Sequence, residues 1–191
     1  MIKNSKAYME LLNCSTEDEV FTRVRTLASD LTDKEHIILS SILFLHSVVE
    51  DELRLVIRQT FQGQLFLSSE EEDESRNRKS EADFRKMVDR LGFMDMYRLL
   101  KPVIKSWSYA YPDLDSILSI NETRIQAAHA RGLDKVIYKG RSPFLVPDCL
   151  AEMYLDVFSI RKSMSKFREQ AISRSSILLQ RYIDRFGTDL C

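Results

Sequence analysis

The fold turns on one stretch, "IILSSILFLHSVVEDELRLVIRQTFQ", Ile37 to Gln62. Ile38, Ile42, Leu45, Val49, Leu53 and Val56 recur every three or four residues, with Phe61 five further on, the period of a helix that buries one stripe. The first half is apolar on nearly every side, which implies burial from several directions. This predicts one long helix from about Asp33 to Gln62, the centre of a helical bundle. The run is too short and too soon followed by "EDELR" to span a membrane.

The rest of the chain supports an all-α reading. It has 191 residues, 44 % hydrophobic and 30 % charged, with only 5 Gly and 4 Pro. Few breakers favour long helices, and this length buries a core without staples. One domain covering 1–191 is expected. A short helix should run to about Leu12. A second should span Glu17 to Ser29, capped by Ser15 or Thr16. The five acids Glu70 to Glu74 repel one another, so 63–80 reads as an exposed, flexible loop.

Ser80 with Asp83 resembles a capping box that restarts the helix. Gly92 should end that helix as a C-cap. The next helix runs from Asp95 to about Ala110, kinked or broken at Pro102. Pro112 to Gly132 follows, capped by Asp113 and stopped by Gly132. "KVIYK" reads as a short strand. A C-terminal helical region fills 147–187, amphipathic and basic, with seven cations between Arg161 and Arg185 against Glu169 and Asp184. Met87, Met94, Met96, Met153 and Met164 fall at core spacing.

Net charge is −1, so no global field draws the chain to nucleic acid or membrane. Any RNA contact must come from a local patch, for which Lys135, Lys139 and Arg141 are candidates. The three cysteines, Cys14, Cys149 and Cys191, are odd in number and widely spaced. Neither a disulfide framework nor a metal site is indicated, no cofactor is called for, and a reducing cytoplasmic setting is expected.

Chemistry is suggested by "NETRIQAAHARG", Asn121 to Gly132. Histidine changes charge near neutral pH, and the arginine fork fits phosphate oxygens. Arg124 and His129 therefore suit phosphodiester cleavage, the arginine holding phosphoryl charge and the histidine moving a proton. Positions five apart lie about 140° apart on a helix, so the two do not share a face in one chain. A two-fold dimer can set one chain's arginine beside the other's histidine. Asn121 lies one helical turn before Ile125 and two before His129, and joins the candidate cluster. His46, inside the apolar run, reads as a buried, hydrogen-bonded histidine.

Arg124, Ala128 and His129 resemble the signature of the HEPN superfamily, the "higher eukaryotes and prokaryotes nucleotide-binding" helical domains. That signature is an arginine, four to six residues and a histidine late in the domain. "FLHSVVEDELRLVIRQTF" is similar to the family's long early helix, and "FRKMVDRLGFMDMYRLLKPVIKSW" to its middle helices. The resemblance covers 33–132. It implies a HEPN-type up-and-down helical core, here with an additional long C-terminal helix. It also implies a metal-independent endoribonuclease, often a toxin or antiviral effector, with a composite site across a homodimer. RNA is the implied substrate, and a cognate antitoxin or regulatory protein a candidate partner. An acid on the early helix supports the site in some members, so Glu50, Asp51 and Glu52 are candidates. Ile125 stands where the signature usually has a polar residue. It favours the alternative, a non-catalytic module that binds RNA, nucleotide or a protein partner.

Overall fold

The structure, a computed structural model, describes residues 10, 13–14, 16–29, 34–68, 74–106, 113–129 and 132–186. Among the described residues six α-helices are delimited: α1 (Glu17–Ser29), α2 (Lys34–Ser68), α3 (Glu74–Asp89), α4 (Phe93–Ser106), α5 (Leu114–His129) and α6 (Pro147–Phe186). A single 3-10 turn, Leu133–Lys135, follows α5. The chain is all-α, as composition and periodicity suggest.

It divides into two compact units, Met1–Glu50 with Pro112–Lys162, and Asp51–Tyr111 with Ser163–Cys191. The expected 33–132 core is thus shared: 33–50 and 112–132 belong to the first unit, 51–111 to the second. Helices α2 and α6 each contribute to both units without a break.

The stripe on α2 is buried as its period requires: Ile38, Ile42, Leu45, Val49, Leu53 and Val56 are at most 2 % exposed. The first unit adds Val20, Val24, Ile117, Ile120, Tyr138, Met153, Tyr154 and Val157 to its core. The second adds Val88, Met96, Leu100, Ile104, Met164 and Phe167. Two caps form as expected. The Thr16 hydroxyl accepts the Glu19 N–H at 3.2 Å. Asp113 accepts the N–H groups of Asp115 and Ser116, at 3.0 and 3.2 Å, and so starts α5.

Several local expectations change. Helix α2 runs on to Ser68 and α3 begins at Glu74, so 63–68 and 74–80 of the expected 63–80 loop are helical, and 69–73 lies outside the described residues. Ser80 falls inside α3 and caps nothing. Gly92 is no C-cap: its carbonyl accepts the Asp95 and Met96 N–H groups and opens α4. Pro102 lies inside α4, which continues past it. Met87 is half exposed, unlike the buried Met96, Met153 and Met164.

The expected strand is a single bridge between Tyr138 and Arg141, with no longer strand among the described residues. Its turn, Lys139–Gly140, has φ of 46° and 83°. Two successive positive values make a type I′ hairpin, in which glycine serves the second position without strain. The expected helix up to Leu12 lies almost wholly outside the described residues. Among the described residues, no helix is long and apolar enough to cross a membrane.

Candidate functional site

The site grows from α2 and α5, both represented in the first unit. On α2, His46 and Glu50 are four residues apart and therefore share a face. His46 is buried, and its Nδ1 lies 3.8 Å from Glu50 Oε2. On α5, Asn121 is buried and points its Oδ1 at His46, where Nε2 donates a 3.2 Å hydrogen bond. Arg124, one turn beyond Asn121, is half-buried.

Burial pushes the His46 imidazole below its ordinary value. The Asn121 hydrogen bond and Glu50 oppose this shift, and the nearby Arg124 charge adds to it. A histidine, a carboxylate and an amide therefore gather in one polar cluster, near enough to Arg124 to feel its charge.

Three acids in a row were candidates to support the site, and their surroundings separate them. Asp51 pairs with Arg54 at 2.9 Å. Glu52 accepts from Arg168, with both side chains largely buried. Glu50 lies 3.8 Å from His46, the residue that meets Asn121 of α5. The structure thus brings Glu50, Asn121 and Arg124 together and adds His46 to them. The sequence showed a buried histidine there but not its partner. The signal available was the His46–Glu50 spacing.

His129 stands apart. It is the last residue of α5 and exposed. Helix α5 is regular through both residues, so the 140° offset from Arg124 stands and one chain does not bring them together. Among the described residues neither Arg124 nor His129 forms an ion pair. Ile125 is 43 % exposed and shares the His129 face at four-residue spacing.

The basic candidates after α5 are mostly matched by acids. Lys139 Nζ lies 2.8 Å from Asp156 and 3.9 Å from Asp113. Arg141 pairs with Glu152. Lys135 alone of the three is exposed without an ion pair among the described residues. These pairs belong to a clasp that docks the hairpin between α5 and α6. Thr123 donates to the Ile137 carbonyl at 2.9 Å, and the Ile137 N–H donates to Gln126 at 2.7 Å. Tyr138, fully buried, donates its hydroxyl to Asp156. Burial and that carboxylate push the tyrosine well above its ordinary value. Cys149, under the same hairpin, is raised to about 11 by burial, which leaves it a thiol and a poor nucleophile at neutral pH.

On the C-terminal helix, Arg168 is committed to Glu52. The side chains of Arg174, Arg181 and Arg185 lie outside the described residues. Among the described residues no three His, Cys, Asp or Glu side chains gather as metal ligands. Comparison of the chain with known protein families, curated proteins and solved structures returned no match.

Proposed function

We propose that the chain is a HEPN-like, metal-independent endoribonuclease of toxin or defence type, working as a homodimer with a composite site. Arg124 of one chain holds the charge that develops on the transferring phosphoryl group. His129 of the second chain takes a proton from the attacking 2′-hydroxyl or returns one to the leaving oxygen. The observation that carries this reading is the Glu50–His46–Asn121–Arg124 cluster. It supports an arginine whose charge acts on the buried His46 yet which is uncommitted to any acid among the described residues. Such an arginine suits a passing anion better than a structural ion pair. An exposed histidine at a helix end suits proton exchange with substrate and water.

The test is cleavage of a labelled, unstructured RNA oligonucleotide. His129→Ala and Arg124→Ala should each lose cleavage by at least about a hundredfold, with helix content and self-association retained. Cleavage unchanged by both substitutions rejects the proposal.

A second reading is favoured by Ile125, whose exposed apolar side chain sits beside His129. In this reading the same surface binds RNA, nucleotide or a protein partner without chemistry. Salt-dependent RNA binding with no cleavage, at any pH, would select it.

A further inference from the structure

Three features compete for a further role: the Tyr138–Asp156 clasp, the Arg54, Arg58 and Arg168 belt on the second unit, and His46. The clasp and the belt are ion-pair systems with the character of structural supports, although Arg54 Nε and Arg58 Nε in the belt are buried without a hydrogen bond. His46 is different, because its partners are groups that the proposed site employs.

We propose that His46 is a positioning residue: its Nε2–H bond to Asn121 Oδ1 fixes that turn of α5 and so sets the placement of Arg124. The inference rests on the nuclease reading for its consequence, but its geometry can be tested apart from it.

The bond joins two different elements, α2 and α5, at two buried side chains. A buried amide oxygen without a donor costs about 1–3 kcal/mol, so the pair resists rearrangement. Asn121 and Arg124 are three residues apart and lie about 60° from one another around α5, on the same side. Holding the amide therefore holds the turn from which the arginine extends. Misplacement by about 1 Å at such a group can cost a hundredfold in rate.

The charge around His46 specifies its working form. Glu50 faces it from its own helix, and Arg124 faces it from α5. Burial is the main cause that disfavours an imidazolium here; the Arg124 charge adds to it and Glu50 opposes it, so the neutral ring is the form favoured beside Arg124. A neutral ring that donates from Nε2 must carry its proton there, which makes the tautomer a direct readout.

The experiment has two arms. In the first, the histidine side chains of the full-length protein are labelled with nitrogen-15, and their tautomer and titration are followed by NMR. His46 should appear as the neutral Nε2–H form at pH 7. Its titration midpoint should rise when Arg124→Gln removes the neighbouring charge. An Nδ1–H tautomer, or a midpoint indifferent to Arg124→Gln, overturns the inference whatever the protein does to RNA.

In the second arm, His46→Leu should lower kcat for RNA about tenfold or more, with KM changed less than threefold. His46→Gln can still donate a hydrogen bond to Asn121 and should recover most of that loss. Asn121→Ala should add little in the His46→Leu background, since the two act as a unit. Equal loss in the Leu and Gln variants, with thermal melts unchanged, overturns the positioning role. A wild-type chain inert towards RNA rejects the nuclease reading, and the first arm still decides the inference.

Discussion

Mixing two inactive variants distinguishes a site shared between chains from one held within a chain. Five steps along regular α5 separate Arg124 from His129 by about 140° around the axis and about 7.5 Å along it. A site using both therefore draws them from different chains. Chains carrying Arg124→Ala, unfolded and refolded with an equal amount of His129→Ala chains, pair at random, so about half of the dimers are mixed. Each mixed dimer has one site with both residues intact and one with neither. About a quarter of wild-type activity should return, from variants that alone retain roughly a hundredth or less. The reverse mixture is equally informative. Equal amounts of wild-type and doubly substituted chains should give about a quarter of the activity of an all-wild-type sample, because every mixed dimer is dead. A site within one chain would give about half. Cleavage is followed on labelled RNA, with two affinity tags confirming that mixed dimers form. Mixed dimers with no restored cleavage would refute the composite site.

Other expectations concern stability. Tyr138→Phe should cost about 1–2 kcal/mol, because Asp156 keeps Lys139 as a partner. Asp156→Ala should cost about 1–2 kcal/mol, because the buried Tyr138 hydroxyl keeps Ser116 but loses its carboxylate acceptor. The double variant should be less destabilised than the two losses added, as urea melts would show. Arg168→Ala should cost about 2 kcal/mol by leaving the largely buried Glu52 short of its cation, and Glu52→Gln should cost less. Acid should also weaken the fold. The unfolded chain protonates His46 near its ordinary value of about 6.5, whereas the folded chain does so only at lower pH. Stability is thus fully present above that value. It falls as pH drops from about 6.5 towards the folded value, by at most ~1.4 kcal/mol per pH unit. His46→Gln should flatten this dependence in thermal melts between pH 7.5 and 5.5.

Much of the fold is legible because it is local. The α2 stripe is written in a period of three to four, and the Thr16 and Asp113 caps sit two or three residues from the N–H groups they satisfy. The acidic run misled because like charges in one short segment do not prevent helices in the residues before and after it. Pro102 misled because its ring displaces a hydrogen bond to the carbonyl of Arg98, which lies on an exposed part of α4 where water can replace it. Met87 lies one place out of register with the buried Val88.

The candidate site divides in the same way. Arg124, His129 and Asn121 are readable along one helix. Choosing Glu50 from three adjacent acids is open only through its four-residue spacing from His46, since what lies opposite neighbours 100° apart is not written in the sequence. Nor could spacing show that His46 meets Asn121, or that Tyr138 meets Asp156, since these contacts join separate elements.

The division into units has a consequence for how the protein is made. The first unit is built from Met1–Glu50 and Pro112–Lys162, with most of the second encoded between them. At the ribosome, the apolar half of α2 emerges first and its partners in α5 and α6 only later. At ordinary elongation rates the gap before Pro112 is roughly 3 to 12 s. During that time Ile42, Leu45 and Val49 have no native neighbours from the C-terminal half to cover them. Translation speed and holdase chaperones should therefore govern the yield of this chain more than its final stability does. Neither unit can be isolated by trimming one end of the gene.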